Sequence, residues 1–378
     1  MLAANVSLKL EMLCHGVNFS DAFLNYYKNQ LGSIEKRRAY GTGDGVVLDT
    51  SIRTPQEIIL SSQIIAAANY NPSSAILIDI VNNGPVLRYK TNVISITFPK
   101  RPLSYGKQLS SGEVFEKYIT VYGNSTLGVF SPGHCYYFTD GRECKFCSLG
   151  AARHGLSDHK MRVRGELAGE AVSLAVMDES TRYLRVLLNG GTIPDYNKGY
   201  SMHLDLLERI KNSNLKTSLE YHLISMPPID FRLFERFKSL GNKMSMSLEI
   251  FNPTLFSEVC PGKAQDYTRD RFLNAFEAAV EILGHGNVYV GFVAGMEPLD
   301  SLIEGIEYFG SKGVVPAVAA FHPDAGSKYS GYPRPSTKFL NSLGKKMSEV
   351  YKREGFEPLI EGSGRNSLDT EAYLGGFK

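Results

Sequence analysis

The residues best suited to chemistry lie between Gly133 and Gly150, in GHCYYFTDGRECKFCSLG, which gathers three of the chain's five cysteines. Cys144 and Cys147 are two residues apart, so both thiols can turn onto one metal centre, and Cys135 joins them across eight intervening residues. Three thiolates converge, whereas a closed structural zinc site takes four protein ligands. His134, His154 and His159 can supply a fourth, which keeps a zinc-binding structural or binding protein as an alternative reading. A three-cysteine cage with one open position suits an iron–sulfur cluster better.

Such a loop has to be held by regular structure on either side. From residue 126 onward strand-like runs (126–130, 183–189, 216–222, 243–251, 287–295, 314–321) alternate with helical ones (near 165–177, 201–211, 230–239, 268–283 and 299–311). Repeated βα units imply a parallel sheet, and six of them predict an α/β fold, a partial (β/α)6 barrel of TIM type. Reactive groups in such folds collect at the carboxyl ends of the strands. The cysteine loop directly follows the first run.

Other stretches fall at predicted strand ends. The second run finishes in Asn189, Gly190, Gly191 and Thr192, where the glycines let the backbone approach a ligand closely, or simply make a tight strand-to-helix turn. The third ends in Glu220, Tyr221 and His222. The fourth carries Glu249 among Leu248, Ile250 and Phe251, where a carboxylate must be paired, with Arg162 or Arg164 the expected partner, or else point into a wet cavity. The fifth holds Val293 and Glu297 in VGFVAGMEP, and the sixth leads to His322.

In this arrangement the chain resembles the radical S-adenosylmethionine (radical SAM) superfamily, whose hallmark is three cysteines in the loop after the first barrel strand, with an aromatic residue before the last. Phe146 occupies that aromatic position, although the first gap is longer than the common CxxxCxxC. The resemblance implies a [4Fe–4S] cluster on Cys135, Cys144 and Cys147, with SAM on the remaining iron. It implies contacts to SAM from Phe146, from the backbone of the Asn189–Thr192 segment, from Glu249, and from Val293 beside the adenine. Thr192 stands where the family's glycine-glycine-glutamate motif has its acid, and Glu297 falls one position short of the GxIxGxxE pattern. Reductive cleavage of SAM to a 5′-deoxyadenosyl radical and hydrogen abstraction from a small molecule or short peptide are the implied activity, with an electron donor such as flavodoxin or ferredoxin as partner. Glu220, Tyr221, His222, Glu249 and His322 form the catalytic shortlist. LEIFNP, VCPGK and FVAGMEP resemble most the biotin-synthase-like and nitrilase-cluster-associated branches.

Composition bounds the rest. The 41 basic and 39 acidic residues leave a net charge of +2, which gives no footprint for nucleic acid. No apolar run approaches the roughly 20 residues of a membrane span, and a cytoplasmic protein is expected. Cys14 and Cys260 stand apart from the loop and read as buried structural thiols. Residues 1–122 predict an α+β appendage, with a helix near 21–30, a glycine-rich turn at 37–45 and strands at 75–81 and 93–98. Residues 123–330 form the barrel, and 331–378 a terminal helix and a tail that either folds back over the active site or stays disordered.

Overall fold

The computed structural model describes residues 2–28, 54–60, 64–123, 125–150, 163–178, 180–215, 217–324, 326–358 and 366–377. The chain starts with a helix, Leu2–His15, then β1 (Asn18–Phe19) and a helix at Asp21–Lys28. Next come the antiparallel pair β2 (Glu57–Leu60) and β3 (Ile64–Ala67), then β4 (Leu77–Val81), β5 (Gly84–Tyr89) and β6 (Asn92–Ser95). β1, β4, β5 and β6 make one sheet in that order. The β4–β5 hairpin turns at Asn82 and Asn83, both at positive φ, the two-residue turn whose twist matches its strands. This lobe has its own apolar cluster around Phe19, Phe23, Ile58, Ile78 and Leu87. The first helix is absent from the sequence reading because it is buried on nearly every side, Asn5 and Lys9 included, so no apolar stripe marks its period. The expected turn at 37–45 lies outside the described residues.

The larger sheet runs β13-β12-β11-β10-β9-β8-β7. β8 (Thr126–Phe130), β9 (Arg185–Asn189), β10 (Glu220–Ile224), β11 (Lys243–Glu249), β12 (Val288–Ala294) and β13 (Val314–Ala320) pair in parallel, each with the next. β7 (Thr120–Tyr122) is an antiparallel edge strand on β8, so the sheet begins just ahead of residue 123. Helices Gly165–Val176, Tyr196–Asn212, Arg232–Leu240, Arg269–Leu283 and Leu299–Ser311 connect the strands, which makes the fold the partial TIM-type barrel the alternation implied. Caps set where they start: Asp195 accepts from Lys198 N, and Thr268 from Arg271 N.

Between β11 and the helix at Arg269 the chain makes two further short helices, Pro253–Val259 and Pro261–Asp266. Each starts at a proline, whose fixed φ and missing N–H suit the first helical position, and Asn252 caps the first through Thr254 N and Leu255 N. At the other edge Leu368 N donates to Val318 O and Ala320 N to Asn366 O, so the carboxyl-terminal segment lies along β13. It does not cap the cysteine loop. The terminal helix, Thr337–Glu354, buries Leu340, Leu343, Met347 and Val350 and ends on Gly355 in the left-handed region.

Candidate functional site

The loop after β8 is held by the turn after β9. Ser131 N donates to Asn189 O (2.8 Å), Gly191 N to Pro132 O (2.8 Å) and Tyr136 N to Thr192 O (2.8 Å). Asn189 Oδ1 accepts from Gly190 N at 2.7 Å, which fixes the turn itself. A Cβ at Gly190 would overlap the carbonyl of Ser131, and one at Gly191 the carbonyl of His134. The two glycines therefore let this turn approach the backbone of the cysteine loop.

The loop's far side rests on the segment after β11. Lys145 N donates to Val259 O (2.9 Å), Gly262 N to Arg142 O (3.0 Å) and Tyr329 N to Lys145 O (2.9 Å). Arg142 bonds Asp140 and Asp266, and the ring of Tyr137, almost fully buried, packs on Gly262.

These contacts enclose a cavity of about 360 Å³, within the range of small-molecule sites. Cys135, Cys144 and Cys147 line it together with Phe146, the Asn189–Thr192 turn and Glu249. Burial raises the pKa of the Cys135 thiol against the hydrogen bonds from Thr192 and Tyr137 that favour its thiolate. The Cys144 thiol is pushed well up, first by a hydrogen bond with the Cys260 thiol and then by burial. Cys260 is thus not an isolated cysteine: it is fully buried against the loop. Chain order hid this, because 115 residues lie between positions that the loop contacts bring together.

Glu249 pairs with Lys263, Nζ to Oε1 at 2.7 Å, and the same amine donates to Ser247 O at 2.7 Å. Neither expected arginine is the partner: Arg164 lies beside Glu113, and Arg162 is outside the described residues. Burial is the largest influence on the Lys263 pKa and lowers it, but the charge and hydrogen bond of Glu249 together with the Cys144 and Cys260 sulfurs outweigh it and hold the amine protonated. Glu249 has φ of 74°, left-handed for a non-glycine, where the β11–β12 register shifts. Such a conformation costs on the order of 1–3 kcal/mol and persists where the surroundings fix it, here the Lys263 ion pair.

Two groups on the cavity wall were not visible in the sequence. His203 donates from Nε2 to Ser131 O (2.8 Å) and accepts at Nδ1 from Ser225 Oγ (2.9 Å), tying the loop's start to the end of β10. Burial holds its pKa down at about 4, so it is neutral near pH 7. Asp324 bonds His322 Nδ1 through Oδ1 (3.0 Å) and Ser148 Oγ through Oδ2 (2.8 Å), which joins the segment after β13 to the loop. His322 thereby reaches the site through Asp324.

Glu220, Tyr221 and His222 are placed differently from the sequence reading. β10 begins at Glu220, so all three sit at the amino end of their strand, away from the cysteine loop, and none lines the cavity. Glu220 lies 3.8 Å from Arg185, the first residue of β9, and His222 Nε2 meets Ser245 Oγ at 2.6 Å. The shift arises because 217–219, strand-like in composition, lie ahead of the strand, which itself starts at Glu220. Val293 likewise lies off the cavity and packs against the apolar core. Glu297 accepts from Phe251 N (2.8 Å), Asn252 N (2.9 Å) and Ser301 Oγ (2.7 Å), so its carboxylate holds the turn after β11.

No family model matches the chain. It is 27% identical over 258 residues to the bacteriochlorophyllide c C-7(1)-hydroxylase of Chlorobaculum limnaeum, covering 65% of this chain and 64% of that protein, just under two thirds of the relative's length. A radical SAM methyltransferase from Sphaerobacter thermophilus aligns in structure with a TM-score of 0.45 and 13% identity, over 69% of this chain and 78% of that one. The FeFe-hydrogenase maturase HydG from Carboxydothermus hydrogenoformans aligns with a TM-score of 0.44 and 18% identity, over 65% and 59%. A three-thiol loop set directly after the first parallel strand of a partial barrel, and laced to the paired glycines after the second, is the arrangement expected from the chain's resemblance to the radical SAM superfamily.

Proposed function

We propose that the chain is a radical SAM enzyme that holds a [4Fe–4S] cluster on Cys135, Cys144 and Cys147, binds SAM in the adjoining cavity and abstracts hydrogen from a small-molecule substrate. The observation that supports this most is that all three thiols open onto one cavity shared with the Asn189–Thr192 turn and Glu249. A cubane takes one thiolate on each of three irons, so its ligands need not meet at a point. Among the described residues, no set of three or more His, Cys, Asp or Glu side chains is gathered to hold a single metal ion. Of the zinc alternative's candidate fourth ligands, His154 and His159 lie outside the described residues. When bound, the reduced cluster supplies the electron that cleaves the sulfonium of SAM to a 5′-deoxyadenosyl radical.

The chain's own residues bind, orient and exclude water. Phe146 and Tyr137 give the cavity an apolar wall that keeps solvent from a reactive intermediate. Lys263 presents a protonated amine beside Glu249, so the wall opposite the glycine turn offers both a cation and an acceptor to a zwitterionic ligand. An electron donor such as flavodoxin or ferredoxin completes the proposed reaction, and a cytoplasmic location fits its oxygen sensitivity. Among the described residues no helix is long and apolar enough to cross a membrane. The relative's action on a bacteriochlorophyllide favours carbon hydroxylation of a small organic molecule as the reaction class.

The test is anaerobic loading of the full chain with iron and sulfide. The proposal expects about four irons and four sulfides per chain and a brown protein, both lost in Cys135→Ala. A colourless chain that takes up one zinc and no sulfide would overturn it.

A further inference from the structure

Cys260 stands against the cysteine loop but outside the proposed ligand set. Its position is built rather than incidental. Lys145 N bonds Val259 O at 2.9 Å and Gly262 N bonds Arg142 O at 3.0 Å, so residues flanking Cys144 are tied to residues flanking Cys260. Cys260 N is itself fixed, donating to Phe256 O at 2.9 Å, and Cys260 O accepts from Ala264 N at 2.9 Å. The first two of these backbone bonds bracket the two cysteines and set Cys144 across from Cys260. Both are reduced in this structure. Their exposure differs: Cys144 lines the cavity, whereas Cys260 is fully buried behind it.

We propose that Cys144 and Cys260 form a reversible disulfide in the cluster-free chain, a modification site that takes one cysteine away from the loop until it is reduced. The oxidant is a low-molecular-weight disulfide. The Cys144 thiol, which opens onto the cavity, attacks one of its sulfurs and passes its proton to the small thiol released, forming a mixed disulfide. Cys260, held across from it by the backbone bonds, then attacks the Cys144 sulfur and releases the second small thiol, which carries off the Cys260 proton. Two protein thiols are oxidised and one small disulfide is reduced to two thiols. Reversal needs only an excess of a small dithiol. Because both anchoring hydrogen bonds belong to the backbone, the pair is held together without a bound metal.

The competing product is a bond within the CxxC turn, where Cys147 N already donates to Cys144 O at 2.9 Å. The backbone bonds on either side of Cys144 nonetheless set Cys260 across from it. This separates the two outcomes cleanly. The full chain, purified anaerobically without cluster, is treated with oxidised glutathione, alkylated, digested without reduction and mapped by mass spectrometry. A peptide pair joining Cys144 to Cys260 is expected, present also in Cys147→Ser and absent after dithiothreitol. Cys144 joined to Cys147 or Cys135, or left glutathionylated while Cys260 is alkylated as a free thiol, would overturn the proposal. The map needs no cluster, so it stands or falls separately from the loading measurement above.

Discussion

Gly191 shows how narrow the tolerances around the cysteine loop are. A methyl group there meets the backbone of His134 and Cys135, neither of which can move without shifting the first proposed ligand. Gly191→Ala is expected to cost on the order of 1–3 kcal/mol through overpacking and to lower iron and sulfide uptake more than it lowers stability. Urea unfolding beside iron analysis separates the two, and uptake equal to the unaltered chain would show that the turn does not hold the loop. The sequence marked this pair as special because two consecutive glycines at a strand end are conspicuous. What it could not give is the object they approach, since the Ser131 and His134 carbonyls become neighbours only once β8 and β9 pair. Lys263 was hidden for a similar reason. A lysine inside VCPGK reads as solvated, and only the short helix starting at Pro261 turns its amine onto Glu249.

At the scale of elements, His203 joins three of them: it sits on the helix Tyr196–Asn212 and bonds both the loop after β8 and the end of β10. Burial favours its neutral form and depresses its pKa from 6.5 to about 4. An unfolded chain therefore binds a proton there before the folded one does as the pH falls. The contribution is fully present above about pH 6.5 and is lost progressively towards pH 4, reaching on the order of 3 kcal/mol if the whole shift is expressed. His222, held down at about 3 first by burial and then by the charges of Lys243 and Arg185, acts in the same direction. Denaturant unfolding of the cluster-free chain between pH 7 and 5 is expected to show falling stability, with a shallower slope in His203→Gln. An equal slope in the variant would mean that the imidazole is not the titrating group. The parallel elements were the legible part of the fold, because each strand and helix announces itself by its own period. The start of β10 was not, since Thr217–Leu219 has a strand's composition but lies ahead of the strand.

For the whole molecule, the contact that joins its two ends is a buried ion pair, Lys9 Nζ to Glu371 Oε1 at 2.7 Å, spanning 362 positions. It pins the first helix to the segment that covers the edge of β13, and so links the amino-terminal lobe to the barrel. Removing one partner strands a charge in the interior. Lys9→Met is expected to lose about 3–5 kcal/mol, and Lys9→Met with Glu371→Leu to recover most of it. Calorimetric unfolding of the single and double variants checks this, and a double variant no better than the single would refute the coupling. Nothing local in the sequence signals such a pair, because each residue alone reads as a surface charge on a short helix.

The claim beneath all of this is that the loop of Cys135, Cys144 and Cys147 supports reductive cleavage of SAM. The most direct measurement is 5′-deoxyadenosine formation by the anaerobically loaded chain given SAM and dithionite, compared with Cys144→Ala of unchanged circular dichroism. The account predicts product from the unaltered chain and none above background from the variant. Product formed equally by both would contradict it.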